Sequence, residues 1–156
     1  MTTKVAVGES VTDFKLPATG DQSIALAALR GKKVVLYFYP KDATPGCTIE
    51  SQNFRDAQDQ FNRADAVIFG VSRDSLQSHE KFKANECLPF ELLSDEDETL
   101  CELFGVMKMK NMYGKQVRGV ERSTFLIDAN GVLRQEWRGV KVDGHVNEVL
   151  EAAKKL

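Results

Sequence analysis

The segment from residue 34 to residue 48 constrains the fold of this chain most, because it joins a strand, a tight turn and a helix. The run Val34–Tyr39 is short, apolar, β-branched and aromatic and ends at Pro40, which is typical of a buried strand. A turn containing Thr44-Pro45-Gly46 follows, and Cys47 then leads into a polar segment with helical spacing. We therefore expect Cys47 in the first turn of a helix, where unpaired backbone N–H groups favour a thiolate.

Along the rest of the chain, the hydrophobic periodicity predicts strands that alternate with helices. The strand–helix–strand unit predicts right-handed parallel pairing, and Asp-Ala-Asn-Gly131 predicts a β-hairpin between two later strands. No linker rich in Pro, Gly or Ser divides the chain. We therefore predict an α/β class with a thioredoxin-like fold, a central mixed β-sheet flanked by helices in a single domain over residues 1–156. The expected elements are a short edge strand before Pro17, a helical turn over 24–29, strands over 34–39, 66–71, 90–93, 123–127 and 132–137, and helices over about 48–61, 75–86, 99–104 and 145–155.

Composition and charge exclude several functions. The formal net charge of −2 provides no basic surface, so no nucleic-acid partner is expected. No apolar run approaches the ~20 residues that a membrane helix needs. Residues 1–8 lack the apolar core of a signal peptide, so we expect a cytoplasmic location, where three cysteines would be reduced and any disulfide would be transient and catalytic. No Cys/His spacing supports a zinc site, and no cofactor is expected.

Several motifs resemble one enzyme family. The pattern Pro40-x-x-x-Thr44-x-x-Cys47 resembles the active-site motif of peroxiredoxins. The longer run from Tyr37 to Glu50 resembles the subfamily called bacterioferritin-comigratory protein or peroxiredoxin Q. Further similar segments occur in the same order and extend the resemblance from near residue 10 to the final helix: Leu93–Glu98, Met112–Lys115 and Gly119–Asp128.

This resemblance implies a thiol-dependent peroxidase that reduces hydrogen peroxide and organic hydroperoxides, protects against oxidants and is recycled by thioredoxin or a similar thiol. It implies that Cys47 is the nucleophile, that Thr44 hydrogen-bonds the peroxide, that Pro40 shields the pocket and that Arg122 holds the charge. The chemistry needs an ionised sulfur and stabilisation of the leaving oxygen, and the always-charged planar guanidinium of Arg122 suits the second task. The subfamily also favours a monomer.

The chain departs from the subfamily pattern at the resolving cysteine. Many members carry a second cysteine five residues after the first, where this chain has Gln52. Cys87 lies in the region where other members place a resolving cysteine, although the alignment would put that cysteine nearer Lys83. Cys101 is expected in the core. Two routes therefore stay open: Cys87 resolves Cys47 after local unfolding, or an external thiol does so.

Other functions of a reactive cysteine are less consistent with the sequence. A disulfide oxidoreductase needs Cys-x-x-Cys, which is absent around Cys47, and a cysteine hydrolase needs a histidine base. The two histidines, His79 and His145, are expected on the surface or on helix faces, whereas Trp137 is expected in the core. From a different functional class, a non-cycling redox sensor or a holdase chaperone is the alternative, and peroxide-dependent turnover with a thiol reductant would distinguish the two classes.

Overall fold

The computed structural model describes residues 5–156, in which nine strands and five α-helices are found. Residues 1–4 lie outside the described residues. They include the start of the predicted domain and half of residues 1–8, on which the prediction of a cytoplasmic location depends. The strands are β1 Lys15–Ala18, β2 Gln22–Ala25, β3 Lys33–Phe38, β4 Ala66–Ser72, β5 Glu91–Ser94, β6 Met107–Met112, β7 Lys115–Val120, β8 Ser123–Ile127 and β9 Leu133–Arg138. The helices are α1 Pro45–Asp56, α2 Gln58–Arg63, α3 Leu76–Glu86, α4 Thr99–Leu103 and α5 His145–Lys154, and a 3-10 helix covers Leu26–Leu29.

Seven strands form one mixed sheet in the order β2-β1-β5-β4-β3-β8-β9. Strand β3 pairs in parallel with β4 and antiparallel with β8, so it lies inside the sheet with Phe38 between Val71 and Ser123. Strands β4 and β5 are also parallel, whereas β8 and β9 form the predicted hairpin. The prediction of an α/β fold with a mixed central sheet is confirmed.

Side chains of β3 alternate between two apolar layers, one on each face of the sheet. Val35 and Tyr37 pack with residues of α1, α2, α3 and α5 on one face. Val34 and Leu36 pack with α4 and the 3-10 helix on the other face. Because both faces of β3 are covered, its sequence is a continuous apolar run. The turn at its carboxyl end therefore follows a strand that is packed on both faces.

Two local predictions were wrong because tertiary contacts override local propensity. The predicted helical turn over 24–29 begins as strand β2, since Ile24 pairs with Leu16, and only Leu26–Leu29 is helical. Strand β2 therefore forms the sheet edge that β1 was expected to form. The single helix predicted over 48–61 starts earlier, at Pro45, and is divided into α1 and α2 at Ala57, whose φ and ψ are −97° and 3°.

The hairpin made by β6 and β7 was not predicted from the sequence. These strands form a separate two-stranded sheet connected by the two-residue turn Tyr113-Gly114. Both turn residues have positive φ, 53° and 78°, as a tight turn between right-twisted strands requires. Tyr113 is 99% exposed at the hairpin tip. Within the described residues, no helix combines the length and apolar character that crossing a bilayer requires.

Candidate active site

Cys47 lies at the start of α1, as predicted. Pro45 is the first residue of the helix, where its missing N–H costs nothing and its fixed φ fits the helix. Thr44 is the N-cap residue with an extended backbone, and its carbonyl accepts a 2.9 Å hydrogen bond from the N–H of Thr48. Cys47 is the third helical residue and is 1% exposed, so its sulfur is shielded from water in a position where the helix dipole favours an anion.

Arg122 approaches the sulfur from another part of the chain. It is 75 residues distant in sequence, directly before β8, and the pairing of β8 with β3 brings it to the cysteine turn. Its Nη2 donates to Cys47 Sγ at 3.5 Å, and its Nη1 donates to Glu50 Oε1 at 2.7 Å. The structure therefore joins two of the predicted site residues directly, a buried sulfur and a guanidinium.

Gly46 makes room for this contact. A Cβ added to Gly46 would lie 3.1 Å from Nη2 of Arg122, closer than ordinary van der Waals contact. The residue before the cysteine therefore has to be small for the guanidinium to reach the sulfur.

Glu50 is a site residue that the sequence analysis missed. It follows Cys47 by one turn of α1, and its side chain is completely buried. Burial raises the pKa of Glu50 to about 7, although the hydrogen-bonded charge of Arg122 lowers it. Burial alone would lower the pKa of Arg122, but the charges of Glu50 and Cys47 outweigh it and raise that pKa above its usual value. The only signal in the sequence was the three-residue spacing from Cys47, which places both side chains on neighbouring positions of one helix.

Thr44 and Pro40 lie in the loop between β3 and α1. Both are partly buried, and the Thr44 hydroxyl donates a 2.8 Å hydrogen bond to the carbonyl of Lys41. This carbonyl is a local partner within the same loop, so the hydroxyl can rotate toward a bound molecule without breaking a long-range contact.

All three cysteines are free thiols. Cys87 is exposed at the C-terminal end of α3 in a left-handed conformation, with φ of 54°. Helix α1 contacts this end directly: Gln52 Nε2 donates to Glu86 Oε1 at 2.8 Å, and Arg55 Nη1 donates to the Glu86 carbonyl at 2.9 Å. The residue that replaces the usual second cysteine therefore touches the neighbour of Cys87.

Cys101 is buried in α4, as expected. Burial raises the pKa of Cys101 well above its ordinary value, and the nearby carboxylate of Asp95 raises it further. This thiol therefore stays protonated and does not belong to the site.

Of the two positions expected for the histidines, the surface and helix faces, the structure shows the second: His79 lies in α3 and His145 in α5, and both are buried. His79 is 0% exposed and His145 is 2% exposed. His145 starts α5, hydrogen-bonds Thr124 Oγ1 at 2.8 Å and packs edge-on against Trp137, which is itself only partly buried rather than fully in the core. Burial lowers the pKa of His145 to about 4, and the positive charge of Arg122 lowers it further.

Several known proteins are similar to this chain in sequence and fold. The AhpC/TSA family model matches residues 7–136. The putative peroxiredoxin bcp of Coxiella burnetii is 51% identical over 94% of this chain and 97% of that protein, and the peroxiredoxin Bcp of Bacillus subtilis is 48% identical over 97% of each. A solved structure of peroxiredoxin Q from Xanthomonas campestris superposes with a TM-score of 0.90 at 48% identity and covers 98% of both chains.

Proposed function

Since the chain belongs to the AhpC/TSA family, in its Bcp or peroxiredoxin Q branch, and is a thiol-dependent peroxidase, we propose that Cys47 is its peroxidatic cysteine. The observation that carries this proposal is the 3.5 Å contact between the Arg122 guanidinium and the buried sulfur at the start of α1. The family assignment does not favour the non-cycling sensor or the holdase chaperone, because peroxidases turn over.

In the proposed first step, the Cys47 thiolate attacks one oxygen of the hydroperoxide in line with the O–O bond. An S–O bond forms, the O–O bond breaks, and the sulfur is oxidised by two electrons to sulfenic acid. The second oxygen leaves as hydroxide or alkoxide and takes up a proton from water. Arg122 stabilises the thiolate before attack and the charge on the leaving oxygen afterwards, while its bond to Glu50 keeps the guanidinium plane fixed.

Two loop residues complete the proposed site. The Thr44 hydroxyl turns from the Lys41 carbonyl to the peroxide, where it accepts a hydrogen bond from the peroxide O–H and donates one to the other oxygen. Pro40 offers no N–H and holds the chain at the end of β3, which shields the pocket from water. Each role is a proposal supported by position in the loop directly before Cys47.

For the second step we propose that Cys87 attacks the Cys47 sulfenic acid, releasing water and forming a disulfide. The contacts from Gln52 and Arg55 to Glu86 place the end of α3 beside α1. Cys47 lies five residues from Gln52, a rise of roughly 7 Å along a helix, so the cysteine Cα atoms must approach through local unfolding at the helix ends. A thiol reductant, for which we propose thioredoxin or a similar protein, then restores both thiols. We further propose a single-domain, monomeric enzyme, and we propose the cytoplasm as its location because free thiols persist in a reducing compartment.

The decisive experiment treats fully reduced protein with one equivalent of hydrogen peroxide, with and without a sulfenic-acid trap, followed by intact mass and peptide mapping. A loss of two hydrogens with Cys47 linked to Cys87 supports the internal route. A trapped oxygen adduct on Cys47 without a disulfide supports resolution by an external thiol. An unmodified Cys47 would overturn the proposal, and Cys101→Ser serves as a matched variant that should behave like the wild type.

A further inference from the structure

Asp42 lies within the proposed peroxide-binding loop, between Pro40 and Thr44, yet its side chain is buried. Its Oδ1 accepts a 2.7 Å hydrogen bond from the hydroxyl of Tyr39. Its Oδ2 accepts one of 2.8 Å from Ser78 Oγ and faces His79 Nδ1 at 2.7 Å. Both carboxylate oxygens are therefore held by protein groups, two of which belong to α3.

His79 is fixed at both ring nitrogens. Its Nε2 lies 2.9 Å from the carbonyl oxygen of Leu93, and because a carbonyl only accepts, Nε2 carries a hydrogen. Its Nδ1 shares a proton with Asp42 Oδ2. The ring is fully buried, so no water competes for these bonds and the orientation of the imidazole is determined by its two partners.

Asp74 lies near this pair, but its contacts describe a hydrogen-bond network rather than a metal centre. The Asp42 N–H donates to Asp74 Oδ2 at 2.9 Å, and the hydroxyl of Ser72 donates to the same oxygen. Oδ2 of Asp74 and both carboxylate oxygens of Asp42 are thus already engaged with protein donors. The network instead joins the loop to α3 and to the carboxyl end of β4.

Backbone geometry shows that the loop needs such support. Ala43, between Asp42 and Thr44, has φ of 62°, in the left-handed region that an alanine side chain disfavours. A strained residue persists only where its surroundings determine it, and Ala43 is itself exposed. The anchors are therefore its neighbours: Asp42 on one side and the first turn of α1 on the other.

We propose that Asp42 and His79 are a positioning pair, which holds the strained turn against α3 and thereby sets the location of the Thr44 hydroxyl relative to Cys47. This inference rests on the proposed function of Thr44 and Cys47. The pair does not touch the reacting atoms. It acts through the loop, and because His79 belongs to α3, it also links the loop to the helix that ends at Cys87.

The test compares Asp42→Ala, His79→Ala and Asp42→Asn. We expect the second-order rate of Cys47 oxidation by hydrogen peroxide to fall about 30- to 100-fold in both alanine variants, since displacement by about 1 Å has that effect. The double variant should be no slower than Asp42→Ala alone, because that change already removes the contact between Asp42 and His79. Asp42→Asn should recover most of the rate, since its amide can donate to His79 Nδ1 and its oxygen can still accept from Tyr39. Alkylation of Cys47 by iodoacetamide needs no hydroxyl from Thr44 and should change less than about threefold.

Glu91→Gln is the control, because it weakens the 2.9 Å ion pair with Lys83 that anchors the same helix without touching the loop. It should keep the wild-type peroxide rate. Alanine variants that react with peroxide like the wild type, or that lose peroxide and alkylation rates in parallel, would overturn the positioning role. Failure of the proposed function is separate, since Cys47 of the wild-type protein would then not be oxidised at all.

Discussion

Glu50 accepts a 2.7 Å hydrogen bond from Arg122, and the two residues are 72 positions apart in the chain. The carboxylate lies on the same helix as Cys47, one turn further on, so a single helix holds the sulfur and the anchor of the guanidinium. The distance between Arg122 and Cys47 is therefore set by the geometry of α1 and not by a flexible side chain alone. This arrangement leads to the first two predictions.

Arg122→Lys should lower the second-order rate of Cys47 oxidation by roughly 100-fold, in the range found when a preorganised donor is removed from an active site. Lysine retains the charge but cannot donate simultaneously to Glu50 and to the sulfur from one rigid plane. Stopped-flow fluorescence of Trp137 measures the rate. Arg134→Lys, at an exposed ion pair with Asp128, is the matched control and should react like the wild type. Equal rates in both variants would contradict the assigned role.

Glu50→Gln should change how stability depends on pH. Burial raises the pKa of Glu50 from 4.5 to about 7, so between these values the folded protein binds this proton more tightly than the unfolded chain does. The stabilisation is complete below pH 4.5 and is lost as pH rises through 7, whereas the glutamine variant has no such loss. The free energy of unfolding, measured with urea, should increase in the variant relative to the wild type by about 2 kcal/mol between pH 5 and pH 8. A difference that stays constant between these pH values would argue against the raised pKa.

His145→Gln should show the opposite dependence on pH. Burial lowers the pKa of His145 from 6.5 to about 4, so the unfolded chain takes up this proton first as pH falls. The stabilisation is complete above pH 6.5 and is lost as pH falls through 4. Compared with the wild type, the variant should therefore lose about 2 kcal/mol less of its free energy of unfolding between pH 7 and pH 4. Parallel losses in the two proteins, measured by urea unfolding, would contradict the assignment.

Gly46→Ala should separate activity from stability. The new Cβ would lie 3.1 Å from Arg122 Nη2 and would push the guanidinium away from the sulfur. Oxidation of Cys47 should slow by about tenfold. Because alanine is a better helix residue than glycine, the free energy of unfolding should stay constant or rise by up to about 1 kcal/mol. A variant that is both less stable and equally active would disprove the steric argument.

Cys101 should be the least reactive thiol of the native protein. Its burial, together with Asp95, raises its pKa far above the working range, and the thiolate is the reactive form. Timed alkylation with iodoacetamide at pH 7.5, followed by peptide mass mapping, should modify Cys101 at least about 100-fold more slowly than Cys47 or the exposed Cys87. In urea-unfolded protein, all three should react at similar rates. Rapid native labelling of Cys101 would show that α4 opens easily.

The parts of the fold that could be predicted depend on local patterns. Strand β3 is a β-branched and aromatic run, and α1 begins at a proline after an extended N-cap, so the position of Cys47 follows from neighbours in sequence. Residues 107–110 of the β6–β7 hairpin do alternate methionine with lysine, but the run is short, and its partner strand β7 is polar, mostly exposed and without such alternation, so the pair was not predicted.

The parts of the site that escaped prediction depend on partners far away in sequence. Burial of Glu50 is tolerated only because Arg122 arrives from the sheet, and burial of His79 only because Asp42 faces it across 37 positions. Polar residues are normally exposed, so a sequence pattern assigns them to the surface unless the partner is already known. The resemblance to a family supplied Arg122, but it did not supply these supports.

The sheet order also determines when the enzyme becomes active during its own synthesis. Arg122 directly precedes β8, and β8 joins β3 with Phe38 opposite Ser123. A ribosome therefore releases Cys47 well before Arg122, for which we propose the activating role, and a growing chain carries this thiol without the guanidinium beside it. On the proposed role of Arg122, full reactivity of Cys47 toward peroxide therefore arises only after translation has delivered β8 to the sheet.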